Sequence, residues 1–376
     1  MTMRHGVFFF SVVWTLAAGE IHAEVLEVPT AEYSTIQRAL DLAENGDEIL
    51  VAPGQYLISD SLNPNRLHDP GDPESPSVKN VILRSRRGPA VTFISISDPD
   101  AFIPVIQVHS GESRETVIEG ITFASDRTVL FPKFGSPKPD STLVVIRGTS
   151  APTIVSCVMR GGKSEAGGGA FCGSQASPLF QHCTFRDNFG FSGGGAHCAG
   201  AARFERCVFS RDIGFEGEGG GGLLAGANSN VELVNCVVSG NVALPIYGGG
   251  LFASSDATLT VTNCTIVGNF AIRGAAIFSL AANVTVKNSI VWDNRNFEEK
   301  IAIGMTKRLP EVSFSCIQGP GPQPGMGNID TDPEFVNPGK WVQLEEPIGD
   351  EFFQFLFGNL FGVNEGRIWE DGDYRL

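Results

Sequence analysis

The chain has 376 residues, 42% of them hydrophobic and 18% charged, a balance that excludes global disorder and supplies a large buried core. Its formal net charge is −15. That leaves no basic surface to neutralise phosphates, which argues against nucleic acid and anionic membranes as partners.

In chain order, Arg4 and His5 precede an apolar run from Val7 to Ala18, and the small residue Ala23 follows. This is the layout of a secretory signal over 1–23, with an apolar part too short for a comfortable membrane span. No later apolar stretch reaches about 18 residues, so no membrane span is expected after signal cleavage. The expected location is extracytoplasmic: secreted, at the cell surface, or periplasmic. Next, "YSTIQRALDLAENGDEILVAPGQY" predicts a helix over 34–44, capped by Ser34 or Thr35, with Ile36, Ala39, Leu40 and Ala43 on one face. A first strand follows in "EILVAPGQY". Together they cap the open end of a β domain over 24–318, because an uncovered sheet edge is a template for aggregation.

A looser β rhythm in "NVILRS" and "ETVIEGITFAS" then becomes a repeat. Cysteines recur at Cys157, Cys183, Cys207, Cys236 and Cys264, with Ser289 in the same place and Cys316 after it, at intervals of 24 to 29 residues. Glycine triplets keep the same beat from Gly167, Gly193, Gly220 and Gly248. Five residues after the cysteines from Cys183 to Cys264 comes a turn residue: Asn188, Asp212, Asn241, Asn269 and, after Ser289, Asn294. Between these landmarks lie three short runs of period-2 alternation per repeat, which read as strands. Strands this short bury a face only by stacking coil on coil. The fold expected is all-β: a single-stranded parallel β-helix with three strands per coil. It has roughly nine coils and is about 40 Å long at the strand spacing of a sheet.

Stacking also decides the cysteines. Equivalent residues on adjacent coils have parallel Cβ vectors about 4.8 Å apart, whereas a disulfide needs Cβ atoms at roughly 3.5–4.5 Å and turned toward each other. The eight cysteines are therefore expected to be reduced, buried and hydrophobic in role. No CxxC pair exists, and His182 and His197 read as turn or outward residues, so zinc is not expected. Cys157, Cys183, Cys207, Cys236 and Cys264 form one structural ladder; Asn188, Asn241, Asn269 and Asn294 form another. The glycine triplets lack the Lys-Ser/Thr of a phosphate loop and read as corners of coils. Asn263 and Asn283 match the glycosylation pattern but fall within the β coils.

Charged residues outside the core cluster on neighbouring coils. A polyuronide lyase needs a base beside the uronate carboxyl and a cation or arginine to neutralise it; the candidates are Lys163, Arg186 and Arg211. A hydrolase needs converging carboxylates. Arg160, Glu165, Asp187 and Asp212 are candidate ligand-binding residues, and calcium is the one cation considered, at Asp187 and Asp212. A solvated face of turn residues explains the same cluster.

The segment 319–376 is Pro/Gly-rich and then aromatic. Its "EFFQFLFGNLFG" has two readings: it lies along an outward apolar stripe of Phe171, Leu224, Phe252 and Phe278, or it plugs the last coil.

The "TIQRALDLAENGDEILVAPGQY" segment resembles the opening of pectin-lyase-like right-handed β-helix proteins. The alternation of "GGGA" and "GGGL" with "FRDN", "IVGN" and "VWDN" is similar to the repeats of polymorphic outer-membrane proteins. "GNIDTDPEFVNP" and the terminal "GDYRL" look like the tail of bacterial surface β-helix proteins. The resemblance implies a right-handed helix and a surface or secreted location, but the fold hosts lyases, hydrolases, esterases and adhesins alike. Because repetition accounts for nearly every recurring residue, the leading expectation is an exported, non-catalytic binding or structural module for polysaccharide or a surface partner. The alternative is a polysaccharide lyase or hydrolase acting on an acidic glycan.

Overall fold

The computed structural model describes residues 23–98, 101–125, 140–296, 302–319, 321, 323–343 and 367–374. All of the signal segment but Ala23, and the aromatic segment 351–361, lie outside them. The described residues form a parallel β-helix of about ten turns, one more than the repeat count suggests. Its first wall is an 11-stranded sheet, its second a 10-stranded sheet and its third an 8-stranded sheet.

One coil shows the construction. Thr153–Val155 lies in the first sheet and Val158–Arg160 in the second; Ala170–Cys172 lies in the third. Each pairs in parallel with its equivalent a coil later, at Leu179–Gln181, Thr184–Arg186 and Ala196–Cys198. Period-2 alternation points every second side chain inward, and register stacks like on like. In the first sheet Ile154, Phe180, Phe204, Leu233, Val261 and Val286 form one column. In the second, Met159, Phe185, Phe209, Val238, Ile266 and Val291 form another. Phe180 stacks on Phe204 at 4.9 Å between ring centroids, and Phe185 on Phe209 at 4.6 Å.

The cap begins earlier than the sequence suggests. A strand Val25–Val28 pairs with Glu48–Val51 and closes the first sheet. The helix runs Ile36–Leu42, shorter than 34–44, with Thr35 as its N-cap accepting from the Arg38 amide. Lys79 reaches its far end and donates to the carbonyls of Asp41 and Ala43, which the helix leaves unpaired.

The coils also hold a segment that the repeat does not announce. Between the second and third walls the chain runs outward as a fourth strand: Lys163–Ala166, Phe189–Ser192, Ile213–Gly219, Val242–Tyr247 and Phe270–Arg273. It returns through the glycine triplet. The first glycine of each triplet has positive φ, between 69° and 74° at Gly167, Gly193, Gly220 and Gly248. Triplets of successive coils then bond backbone to backbone, as in Gly194 N–H to Gly220 C=O at 3.0 Å. A Cβ on Gly194 would lie 2.4 Å from the Gly221 carbonyl oxygen, so only glycine fits. The triplets are thus the inner ply of a flank rather than simple corners. Phe189, Phe191, Phe215, Val242 and Leu244 form the flank's own apolar core.

Along the third wall, Leu224, Phe252 and Phe278 are 0%, 2% and 3% exposed, so the expected open stripe is covered there. Tyr247 of the flank packs on this cluster, stacked on Phe278 at 4.4 Å.

Candidate functional site

Both predicted ladders occupy the inside of corners. Between the first and second walls, each cysteine thiol donates to the central carbonyl of the preceding first-wall strand: Cys183 to Ile154 at 3.3 Å, Cys207 to Phe180 at 3.5 Å, Cys236 to Phe204 at 3.4 Å. The sulfurs of Cys236 and Cys264 also receive an amide from the coil before, from Cys207 N–H and Cys236 N–H, both at 3.4 Å. Ser289 and then Ser315 continue the column, each accepting the amide of the rung before it at 3.1 Å. Cys316 is one residue out of place and pairs instead with Ile290 in the second wall. All eight cysteines are buried and unpaired, and burial pushes the Cys157 and Cys207 thiols up.

The asparagine ladder follows the same rule one corner later. Asn188, Asn241, Asn269 and Asn294 donate through Nδ2 to the carbonyls of Met159, Phe209, Val238 and Ile266. Asp212 sits between Asn188 and Asn241 as a rung of this ladder, fully buried.

The predicted ligand-binding residues therefore divide between the two sides of the wall. Arg160 and Arg186 are register partners pointing outward from the second wall, and the Arg160 guanidinium lies 5.6 Å from the Phe93 ring. Lys163 and Glu165 are on the first flank strand, beside the turn. Asp187 is exposed, and Arg211 donates to its carboxylate through Nε at 2.7 Å and an Nη at 2.9 Å. That bond raises the Arg211 pKa further. Asp212 faces the opposite way, so Asp187 and Asp212 do not share a space in which calcium could sit. Among the described residues, no three His, Cys, Asp or Glu side chains converge as metal ligands.

The second wall's outward column continues from Arg186 to Ser210 and Ser239, and here the C-terminal segment lies across it. Lys340–Gln343 pairs antiparallel with Arg367–Glu370. Beyond that hairpin Asp371 accepts from Ser210 Oγ and Ser239 Oγ, both at 2.6 Å, with Arg211 3.6 Å away. Trp369 is 1% exposed and packs over Gly240 and Gly268, where a Cβ would lie 2.1 and 2.2 Å from its ring. Trp341 meets Trp369 edge-on at 5.5 Å and packs on the flank's apolar core. No repeat signal marks these tail residues, and the reading by repeats misses them.

The first wall's outer face is built differently. A shallow trough of about 340 Å³ crosses it, lined by Arg114, Pro178, Arg203, Asn230, Glu232 and Thr260 among others. Arg203 donates to Glu205 at 2.6 Å and is ion-paired with Glu232, while Gln181 donates to Glu205 at 2.9 Å. The bonds from Gln181 and Arg203 lower the Glu205 pKa, and those to Glu232 and Glu205 raise that of Arg203. Glu205 and Arg203 are thus held charged and poorly suited to proton transfer. Sequence reasoning passed over this face because its outward residues differ from coil to coil. A second hollow, of about 240 Å³ near Leu57 and Val105, has serine hydroxyls as its polar side chains and no ionisable lining residue.

Three parallel walls wound coil on coil define the class, a right-handed parallel β-helix. The sequence signature described as a right handed beta helix region matches residues 142–309. No protein of curated function matches the chain. Among solved structures, it is similar to ORF18 of Geobacillus virus E2, at 11% identity and a TM-score of 0.49, covering 86% of this chain and 67% of that one. It is also similar to the A-module of the Azotobacter vinelandii mannuronan C-5 epimerase AlgE6, at 15% identity and 0.46, covering 77% and 83%. Pectin methylesterase PemA of Erwinia chrysanthemi follows at 10% and 0.35, covering 78% and 88%.

Proposed function

We propose that the protein is an exported, non-catalytic module that binds a polysaccharide or a glycan-bearing surface partner along the outer face of its first wall. The observation that carries this reading is the trough around Arg203. Its guanidinium is fixed between two carboxylates, with Asn230 and Thr260 among the lining groups of the following coils. Preset donors and acceptors repeating at coil spacing suit the hydroxyls of an extended sugar chain, and their fixed positions lower the ordering cost of binding. The acidic net charge and the paired glutamates favour a neutral or weakly charged chain.

A lyase or hydrolase acting on an acidic glycan has one observation in its favour, the outward Arg160–Arg186 pair. The two readings separate in one experiment. The mature protein is incubated with neutral and acidic polysaccharides, with and without calcium; soluble products are weighed by mass spectrometry and retention is followed by affinity electrophoresis. Retention without products is expected, weakened at least about tenfold (~1.4 kcal/mol) by Arg203→Ala. Products lighter by one water would identify a lyase, and products of full hydrolytic mass a hydrolase; either would overturn the binding reading.

A further inference from the structure

The asparagine ladder contains one rung of different chemistry. Asn188 donates its two Nδ2 hydrogens to the Met159 carbonyl and to Asp212 Oδ1; Asn241 donates to the Phe209 carbonyl and to Asn269 Oδ1. Each rung's oxygen also accepts the backbone amide of the rung before it. Asp212 meets the accepting half of this pattern, since its Oδ1 takes both the amide and the side chain of Asn188 at 2.9 Å. The donating half falls to Oδ2. That oxygen is buried, has no partner, and lies where a Cβ on Gly195 would come within 2.6 Å of it. In the other rungs this place holds an N–H directed at the central carbonyl of the preceding second-wall strand, which for this coil is that of Phe185. An ionised carboxylate would set a lone pair against lone pairs in a sealed corner.

We propose that Asp212 is a protonated rung: its carboxylic acid donates through Oδ2 the hydrogen bond that the four asparagines donate through Nδ2, and the stack at this coil keeps its ladder only while the acid keeps its proton. Burial is the main force holding the proton on, and the like charge of Asp187 adds to it. The amide and side chain of Asn188 and the charge of Arg211 act the other way. Asp187 and Arg211 are the charged groups that act on it. Asp187 projects outside the wall and Arg211 is turned to it, so their opposite charges act on Asp212 in opposite directions. The device lies beside Ser210 and Arg211, which hold Asp371, so the pH-sensitive coil is also one that anchors the C-terminal hairpin.

The sign follows from linkage. An acid whose folded pKa lies above its unfolded value of about 3.9 contributes stability fully present below about pH 4, lost as pH rises to the folded pKa. Urea unfolding from pH 4 to 9 would compare the wild type with Asp212→Asn, which supplies the missing donor in the same shape. The unfolding constant of the wild type should rise relative to the variant by about tenfold per pH unit above pH 4, then level off. Asp187→Asn should leave that slope in place. Carbon NMR of aspartate-labelled wild-type protein reads the same point without any variant: one buried carboxyl should remain in its protonated position at pH 6. Parallel curves for wild type and Asp212→Asn, or the absence of any protonated aspartate at pH 6, would overturn the proposal.

Discussion

The corner that leaves the second wall places one residue per coil in the left-handed region: Gly161, Asp187, Arg211, Gly240, Gly268 and Asp293, at φ between 47° and 74°. Gly and Asp suit that backbone, whereas an arginine there costs on the order of 1 kcal/mol. The two-pronged bond from Arg211 to Asp187 on the neighbouring coil offsets part of that cost. At the preceding corner the inward side chain faces a buried carbonyl, which favours a small group able to donate to it. A thiol meets that need while remaining nearly apolar, which explains why cysteine recurs there without pairing. Protein denatured without reductant should therefore show eight reactive thiols by titration; a count of six or fewer would mean that stacked cysteines had oxidised. These columns are legible in the sequence because one steric demand recurs every coil and selects one residue type. Cys316 was not legible, since a shift of one residue moves a cysteine from the corner to a strand without altering the local pattern "SCIQ". Nor was the burial of Asp212, since Asp and Asn are equally good turn residues on the page and only the stack distinguishes them.

At the scale of elements, the three short strands and the cap were readable from alternation and from a capped amphipathic helix. The flank was not. Its strands vary in length from Lys163–Ala166 to Ile213–Gly219 and slip register between Gly190 and Ser192, so no fixed period records them. The hairpin Lys340–Gln343/Arg367–Glu370 was equally silent, because its anchors are single residues meeting a long-range surface. Its seat is specific: two glycines leave room for Trp369, and two serines receive Asp371. Trp369→Ala combined with Asp371→Asn should detach the hairpin and leave the coils wound. Limited proteolysis would then cut within 340–374 at least about tenfold faster, as expected where local opening governs cleavage, while the fragment from Val25 to Ile317 resists. Equal cleavage of both proteins would mean that the hairpin is held elsewhere.

For the whole molecule, the important property is that each coil touches little beyond its two neighbours, so stability is close to a sum of coil and interface contributions. Position along the axis is then interchangeable provided register is kept. The span 157–182 is one full period, from a cysteine corner to the residue before the next, and lies away from the seat of the hairpin. Its removal joins Ser156 to Cys183 and offers Thr184–Arg186 to Thr122–Ala124 in place of Val158–Arg160, with Phe185 taking the place of Met159 over Phe123. The cysteine ladder loses its rung at Cys157 and closes up, while the asparagine ladder, which begins at Asn188, keeps every rung. The shortened protein should remain monodisperse with an unchanged β-sheet circular dichroism spectrum per residue, and its thermal midpoint should fall by only a few degrees. Removing 157–169, half a period, should instead abolish cooperative unfolding, because second-wall strands would then face third-wall strands and the inward columns would be broken. If both deletions proved equally damaging, the molecule would be held together by contacts that span many coils, and the additive view of its stability would be wrong.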